Sequence, residues 1–345
     1  MTAIEEEWDN FCNNSDNLHS ILNTNTNSLN IDVKDNAPKC GDIYISTKTK
    51  ILYLSKEVDL KKNFWNIPII PYTMPIEGVI KKQIKYNFEK AEEIVEVENK
   101  IANENAVEMD VLSKSNSINK FKEVRKISIG TCKKDITTHR GKKKSAFYNC
   151  FVLIIRLEIN NVFKEAHVKI FNTGKIEIPG IQNDEFMDKI LKKLLEILNN
   201  ICKLNIEVKR ETCETVLINS NFNCGYYINR EILYDKLKYK YRIHTAYDPC
   251  SYPGIMSKFW FNHGEEIQTG VKISPNASQI SFMIFRTGSV LIVGKCNEDM
   301  LITIYEFLKN LFNTEYKDIV RNNDNIVEKK EKKRRKKYIK ISQTS

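Results

Sequence analysis

The chain has 345 residues, enough for two average domains or for one pseudo-symmetric domain with insertions and tails. Hydrophobic residues make up 41% of it and charged residues 28%, a globular mixture, and the longest apolar stretches fall far short of the ~20 residues that cross a bilayer. The net charge is +10, but residues 329–340 contribute +8 of it, so bulk charge alone does not mark the folded part as a nucleic-acid binder.

The amino terminus and the cysteines indicate an intracellular protein. The first ten residues are acidic and lack the basic and apolar regions of a signal peptide. The nine cysteines are scattered and form no CxxC pair, which favours reduced thiols. Cys213, Cys224 and His244 share one stretch, but their spacing matches no common zinc site. We therefore expect neither a metal nor a cofactor.

In chain order, residues 1–41 are rich in Asn, Ser and Asp and predict a disordered acidic arm. Glu89–Lys120 is rich in Glu and then in Ser, Asn and Lys, and predicts an irregular stretch within an insertion at about 89–145. Residues 314–345 form a basic tail, and its run of like charges is attracted to phosphate. The segments between these regions have strand and helix patterns.

A duplicated hairpin is the strongest internal signal. The segment Ile170-Phe-Asn-Thr-Gly-Lys-Ile-Glu-Ile-Pro-Gly180 matches Ile284-Phe-Arg-Thr-Gly-Ser-Val-Leu-Ile-Val-Gly294, with six of eleven positions identical at an offset of 114. The offset continues into a helix that follows Asn183 in one copy and Asn297 in the other, each a capping residue followed by acids. We therefore expect two related halves, repeat 1 over 42–201 and repeat 2 over 206–313, with long helices near 183–200 and 297–312.

Two registers compete for the strand that precedes the hairpin in repeat 1. In the first, Pro75–Lys82 matches Ser251–Lys258 at an offset of 176, which gives the first half 62 extra residues. In the second, Ala146–Arg156 is that strand, and Arg156 takes the phosphate-contacting position. We prefer the first register because its spacing mirrors the second half.

Three ordered segments of repeat 2 resemble the TATA-box-binding protein (TBP) family. Tyr247–Lys258 is similar to the family's Y-E-P-x-x-F-P-G-L-I-Y-R, Ile284–Gly294 to I-F-V-S-G-K-x-V-L-T-G, and Asn219–Cys224 to N-I-V-G-S-C. The chain looks like a divergent TBP-like protein of a large DNA virus. The resemblance implies an α+β fold, a pseudo-two-fold saddle in which a curved antiparallel sheet carries two long helices on one face.

The resemblance also implies a non-enzymatic minor-groove binder that recognises AT-rich promoter DNA in transcription initiation. Its implied partners are double-stranded DNA, a transcription factor IIB-like protein and RNA polymerase, and its implied location is the nucleus, a cytoplasmic viral factory or the virion. Apolar side chains wedged between base steps kink the duplex, and the TBP family is itself the usual example. The implied DNA-binding residues are the wedges Phe171, Phe285, Tyr252 and Ile76, the base-edge amide Asn219, the apolar floor Leu291 and Val293, and the phosphate contacts Lys82, Lys258, Lys175 and Arg286.

Some positions depart from the family pattern. Glu177 and Pro179 stand where the family places a small apolar residue and Thr over the DNA, and Ile45 or Ser46 stands where a partner of Asn219 is expected. Glu177 would face phosphate unfavourably, so a degenerate TBP-like protein-interaction module that does not bend DNA is the alternative. We expect no enzyme, because the chain has no Gly-rich phosphate loop, no HExxH and no histidine beside a plausible nucleophile.

Overall fold

The structure is a computed structural model that describes residues 37–102, 104, 106–117, 120–137 and 147–321. Residues 1–36 of the predicted acidic arm and the basic segment 329–340 lie outside these ranges. The chain divides into two compact units. We call Lys48–Thr215 the amino-terminal unit, and residues 216–321 together with 37–47 the carboxy-terminal unit.

The amino-terminal unit contains an antiparallel sheet with the strand order β3-β4-β2-β5-β6-β7-β1. Its strands are β1 (Tyr44–Leu54), β2 (Gly78–Phe88), β3 (Val107–Ser117), β4 (Lys120–Gly130), β5 (Cys150–Ile159), β6 (Val162–Phe171) and β7 (Lys175–Ile181). Its helices are α1 (Leu60–Asn66), α2 (Ala91–Ile101), α3 (Lys133–Thr137) and α4 (Asp184–Glu196), the last continued by a π-helical turn, Ile197–Ile201.

One face of this sheet is covered by helix α4. The helix begins after Asn183, whose side chain accepts a 2.8 Å hydrogen bond from the Phe186 N–H. Ile190 and Leu194, both fully buried, pack with the alternate strand residues of β6 and β7, among them Ile170. Since successive strand residues point to opposite faces, their neighbours lie on the face away from α4.

The carboxy-terminal unit repeats this plan with fewer elements. Its strand order is β8-β12-β11-β10-β9, formed by β8 (Val208–Asn223), β9 (His244–Ala246), β10 (Ile255–Phe261), β11 (Ser278–Ile284) and β12 (Ser289–Gly294). The helices are α5 (Arg230–Asp235), its π-helical continuation Lys236–Lys240, α6 (Glu298–Thr314) and α7 (Tyr316–Ile319). Asn297 caps α6 by accepting from the Met300 N–H at 2.9 Å, and Ile304 and Leu308 are buried against the sheet.

The two duplicated segments form the same local structure. In the β6–β7 turn the Gly174 N–H donates to the Phe171 carbonyl at 3.0 Å, and in the β11–β12 turn Gly288 donates to Phe285 at 3.0 Å. Both glycines have a positive φ, +78° and +81°, which strongly favours glycine. The expected α+β class with antiparallel pairing is confirmed, and the helices after the hairpins lie at Asp184–Glu196 and Glu298–Thr314.

The preferred register of repeat 1 is wrong. Strand β5 pairs with β6, with Phe151 opposite Ile170, just as β10 pairs with β11, with Ile255 opposite Ile284. Strand β2 instead pairs with the far side of β5. Strand β5, which the alternative register proposed, therefore holds the place of β10, and Phe151 corresponds to Ile255 at an offset of 104.

The stretch expected to be irregular forms regular structure instead. Helix α2 buries Ile94 and Val97, which are spaced by three residues and so share one helix face. Strands β3 and β4 form a hairpin, and β4 extends the sheet by pairing with β2. The composition of Glu89–Lys120 was misleading because half of each edge strand and helix faces solvent and is polar.

Within the described residues, no helix combines the length and the apolar composition needed to span a bilayer. The same residues contain no group of three or more His, Cys, Asp or Glu side chains placed to hold a metal ion. The eight cysteines of the described ranges have free thiols.

Candidate nucleic-acid interface

The sheet of the carboxy-terminal unit has an apolar patch on the face away from α6. Met283, Leu291 and Val293 form a separate buried cluster there, and Leu217 and Phe285 pack against it. We call this surface the open face of the unit. The side chains that it presents are Leu217, Asn219, Asn221, Asn223, Met256, Lys258, Trp260, Gln279, Ser281, Met283, Phe285, Ser289, Leu291 and Val293. None of these fourteen side chains is a carboxylate.

An aromatic pair stands at the turn end of this open face. The half-buried rings of Phe285 and Tyr252 have centroids 6.1 Å apart at 60°, and the Tyr252 hydroxyl lies 3.7 Å from the Met283 sulfur. The Tyr252 N–H is held by the Asp248 carbonyl at 2.9 Å. A Cβ on Gly254 would lie 3.0 Å from ring atoms of both aromatics, so any other residue there would require the rings to shift by a few tenths of an ångström. The two expected wedges of repeat 2 are thus brought together.

Asn219 lies beside this apolar floor, opposite Val293 in the strand register. It is 5% exposed, and its Oδ1 has no hydrogen-bond partner among the residues that the structure describes. Buried polar groups without partners are rare, and an acceptor such as this Oδ1 is completed only by a group that donates a hydrogen bond. The sequence predicted Ile45 or Ser46 as the residue of repeat 1 that corresponds to Asn219, and this prediction is wrong. In the register opposite β7, Lys48 pairs with Ile181 and Lys50 with Ile178, so that Thr49 lies at the irregularity opposite Pro179 and Gly180.

The expected phosphate contacts separate into accessible and inaccessible cations. Lys258 and Arg286 are exposed, and Lys175 is half-buried with its Nζ 5.2 Å from the Phe171 ring centroid. The prediction that Lys82 contacts phosphate is wrong, because Lys82 is fully buried and donates to the Ile67 carbonyl at 2.7 Å. Burial lowers its pKa.

A one-residue bulge explains the position of Lys82. Gly78 and Val79 pair in register with β5, but Lys81 then lies opposite Ile154, so that one extra residue enters β2. Such a shift moves every later side chain to the other face. Lys82 consequently points toward the helices, where its ammonium lies 5.0 Å from the Phe64 ring centroid.

The second correction concerns the fourth wedge. Ile76 is half exposed and lies in the loop before β2, outside every strand. In the corrected register Tyr148 takes the position of Tyr252, because each tyrosine precedes the first matched strand residue, Phe151 or Ile255, by three positions. Tyr148 is 56% exposed, and the Lys85 Nζ lies 3.2 Å from its ring centroid. That shared spacing is the signal in the sequence that indicates the correct register.

Glu177 is paired within the amino-terminal unit. Its Oε1 accepts from the Lys169 Nζ at 2.7 Å, and that ammonium also lies 4.2 Å from the Phe147 ring centroid. The expected unfavourable carboxylate is therefore present on the face that carries Phe171, with its charge largely compensated.

Helix α3 lies on the face of the amino-terminal sheet that carries Phe171 and Glu177, which is the face away from α4. The two Glu165 carboxylate oxygens accept the Lys133 N–H at 3.0 and 3.1 Å, and Asp135 pairs with the Lys81 Nζ at 2.8 Å. The Cys132 side chain packs with Ile80 and Ile154.

Two further basic side chains belong to this part of the sheet. Desolvation, with Lys134 and Lys169 nearby, lowers the pKa of His167 to about 4. Arg156, the alternative phosphate contact, is buried and bonds the Met74 and Tyr72 carbonyls.

Comparison with known proteins identifies viral relatives. The TATA-box-binding protein-like protein of Acanthamoeba polyphaga mimivirus is 25% identical over 234 residues, which cover 62% of this chain and 62% of that protein. A candidate TATA-binding protein of African swine fever virus, pB263R, is 25% identical over 194 residues, or 52% of this chain and 68% of that protein. The resemblance to the TBP family is confirmed. The chain thus matches less than two thirds of the length of its mimivirus relative.

The remaining comparisons are more distant. The TBP of Methanococcus jannaschii aligns with a TM-score of 0.40 and 12% identity, over 79% of this TBP-like chain and 98% of that one. No protein-family model matches the chain.

Proposed function

We propose that this TBP-like protein binds the minor groove of AT-rich duplex DNA and acts in transcription initiation. The observation that carries the proposal is the open face of the carboxy-terminal unit, which joins an apolar floor, an aromatic pair and the buried Asn219 amide. The viral relatives, both named for TATA binding or likeness to such a protein, support the same function. The pseudo-two-fold saddle that the resemblance implies stays a prediction.

Each part of the face suits one requirement of minor-groove binding. Phe285 and Tyr252 are the aromatic rings that would enter a base step, and Leu291 and Val293 would lie against the sugars and base edges. The Asn219 Nδ2 would donate to adenine N3 or thymine O2, the acceptors that A·T pairs offer in this groove, while its Oδ1 would gain no partner from them. Lys258, Lys175 and Arg286 would contact phosphates, which position a protein without reading sequence.

The decisive experiment measures DNA bending and binding separately. Unstacking a base step costs a few kcal/mol, which only an inserted apolar ring and the additional contact offset. We therefore expect Phe171→Ala/Phe285→Ala to remove bending more completely than binding, because the phosphate contacts remain. Fluorescence transfer between the ends of a labelled AT-rich duplex reports bending, and anisotropy reports affinity.

Two matched substitutions sharpen this test. Tyr148→Ala should reduce the bend, while Ile76→Ala should leave it unchanged, which distinguishes the strand register of the structure from the one preferred on sequence. Tyr239→Ala controls for the removal of an aromatic ring, since Tyr239 is 68% exposed on the π-helical turn after α5. If the wild-type protein binds the duplex without shortening its end-to-end distance, the wedge assignment is wrong.

A protein-interaction module is the second candidate. Glu177 and the α3 helix on the amino-terminal face favour it, because both reduce the surface that DNA could contact there. Under this function the chain would show no preference for AT-rich duplex, and its partners would be a transcription factor IIB-like protein and RNA polymerase. Those two partners, and action in the nucleus or a viral factory, belong to the primary proposal as well.

A further inference from the structure

The two sheet faces that carry Phe171 and Phe285 differ in how much of each is open. Lys258 is exposed on β10, whereas Ile154, which holds the same position on β5 at the offset of 104, is 2% exposed. Gln279 is exposed on β11, whereas its counterpart Glu165 on β6 accepts the Lys133 N–H. Part of the added burial comes from the segment that contains Cys132 and α3, and part from Tyr72, which packs against the same Ile80–Cys132–Ile154 cluster. Among its described elements, the carboxy-terminal unit has no helix equivalent to α3.

We propose that residues 132–137, which contain α3, are a displaceable cover that competes with duplex DNA for the amino-terminal face. This inference rests on the proposed function. With the cover in place, DNA contacts of this unit would be limited to its turn end, at Phe171, Tyr148 and Lys175. Contact between DNA and the whole amino-terminal face requires the cover to move away from the Ile80 and Ile154 side chains.

The cover has the features of a segment that opens locally. Helix α3 has five residues and buries none of its own side chains, and so short a helix has little stability by itself. A few polar contacts hold it, the Lys133 N–H to Glu165 and the Asp135 carboxylate to Lys81. Asp135 also accepts from the Cys132 N–H at 2.9 Å, so one carboxylate joins the helix start to the sheet. Regions with few buried contacts are the ones that open below the global unfolding free energy.

Cys132 provides a direct readout of opening. It is the first residue of the cover and is 3% exposed against Ile80 and Ile154, and burial, together with Asp135, raises its thiol pKa to about 11. Cys213 and Cys250 are exposed and report how strongly the duplex shields thiols from the labelling reagent. We expect AT-rich duplex to raise the rate of iodoacetamide modification of Cys132 above its rate in the DNA-free protein, as measured by mass spectrometry of peptides from the full chain.

The affinity test loosens the cover without touching the carboxy-terminal unit. Asp135→Asn removes the charge that pairs with Lys81, and Lys133→Pro removes the N–H donor while proline remains acceptable at the first position of a helix. Because the free energy of lifting the cover is subtracted from that of binding, either variant should bind AT-rich duplex about fivefold more tightly than wild type. Asp184→Asn removes an equal charge from the Lys50 ion pair at the start of α4 and should change affinity much less.

The outcomes separate this inference from the function on which it rests. If wild type binds AT-rich duplex but both variants bind no more tightly and Cys132 labelling is unchanged by DNA, the cover proposal is overturned and the proposed function stands. Binding by the two variants but not by wild type supports the cover in its strongest form. If neither wild type nor the variants bind, both proposals fail.

Discussion

Replacing Asn219 with leucine should stabilise the protein and weaken its DNA binding at the same time. Asn219 is 5% exposed, and within the described part of the chain its Oδ1 has no hydrogen-bond partner. It lies next to Val293 on an otherwise apolar floor. Leucine has a similar branched shape and no polar atom, so Asn219→Leu removes an unsatisfied acceptor and extends the apolar cluster.

The expected magnitudes follow from the burial of that acceptor. Leaving a buried acceptor without a partner costs about 1–3 kcal/mol, and part of this should be recovered, giving a free energy of unfolding about 1 kcal/mol higher than that of wild type. DNA binding should fall about tenfold, since the variant has no amide donor for the A·T base edges. An opposite effect on stability and binding is the signature of a residue kept for its ligand.

The assay compares two asparagines on the same strand and face. Urea unfolding gives stability, and fluorescence anisotropy with an AT-rich duplex gives affinity. Asn223→Leu is the control, because the Asn223 Oδ1 accepts from the Gly225 N–H at 2.7 Å and its Nδ2 donates to the Thr287 carbonyl at 3.3 Å. That variant should be less stable than wild type. A loss of stability in Asn219→Leu would refute the reasoning from the unsatisfied acceptor, and unchanged affinity would remove Asn219 from the interface.

Two further predictions concern pH and salt. Burial raises the pKa of Glu315, but hydrogen bonds from Lys236, Lys240 and Tyr241 outweigh it and lower the pKa from 4.5 to about 2. The ionised carboxylate therefore stabilises the fold above pH 4.5. The difference in unfolding free energy between wild type and Glu315→Gln should shrink as the pH falls toward 2, as measured by urea titrations at acid pH. A difference that stays constant with pH would count against this prediction. Deleting the basic segment 329–340 should flatten the log–log salt dependence of DNA binding, by about 0.9 for each phosphate that the segment neutralises, and an unchanged slope would show that the segment does not contact DNA.

The sequence alone determined the local structure that the two repeats share. The Thr-Gly turns, the strands on either side, the caps Asn183 and Asn297 and the helices that follow were all predicted. These features depend on contacts within a few residues, namely a glycine with positive φ, a side chain that caps the N–H two or three residues on, and apolar residues at helical spacing. Phe285 and Tyr252 could be predicted together because both lie in motifs that resemble one family.

Tertiary structure decided which distant segments meet. Strands β2 and β5 are both rich in apolar residues, so either satisfied the sequence pattern as a neighbour of β6. The choice depends on hydrogen bonds between residues far apart in the chain, and it moved the predicted position of the fourth wedge from Ile76 to Tyr148. A single bulge turned Lys82 into the core, since one inserted residue reverses the face of all that follow. The α3 contacts with Lys81 and Glu165 likewise join segments that sequence periodicity cannot relate, because periodicity reports the face of an element and not the partner that covers it.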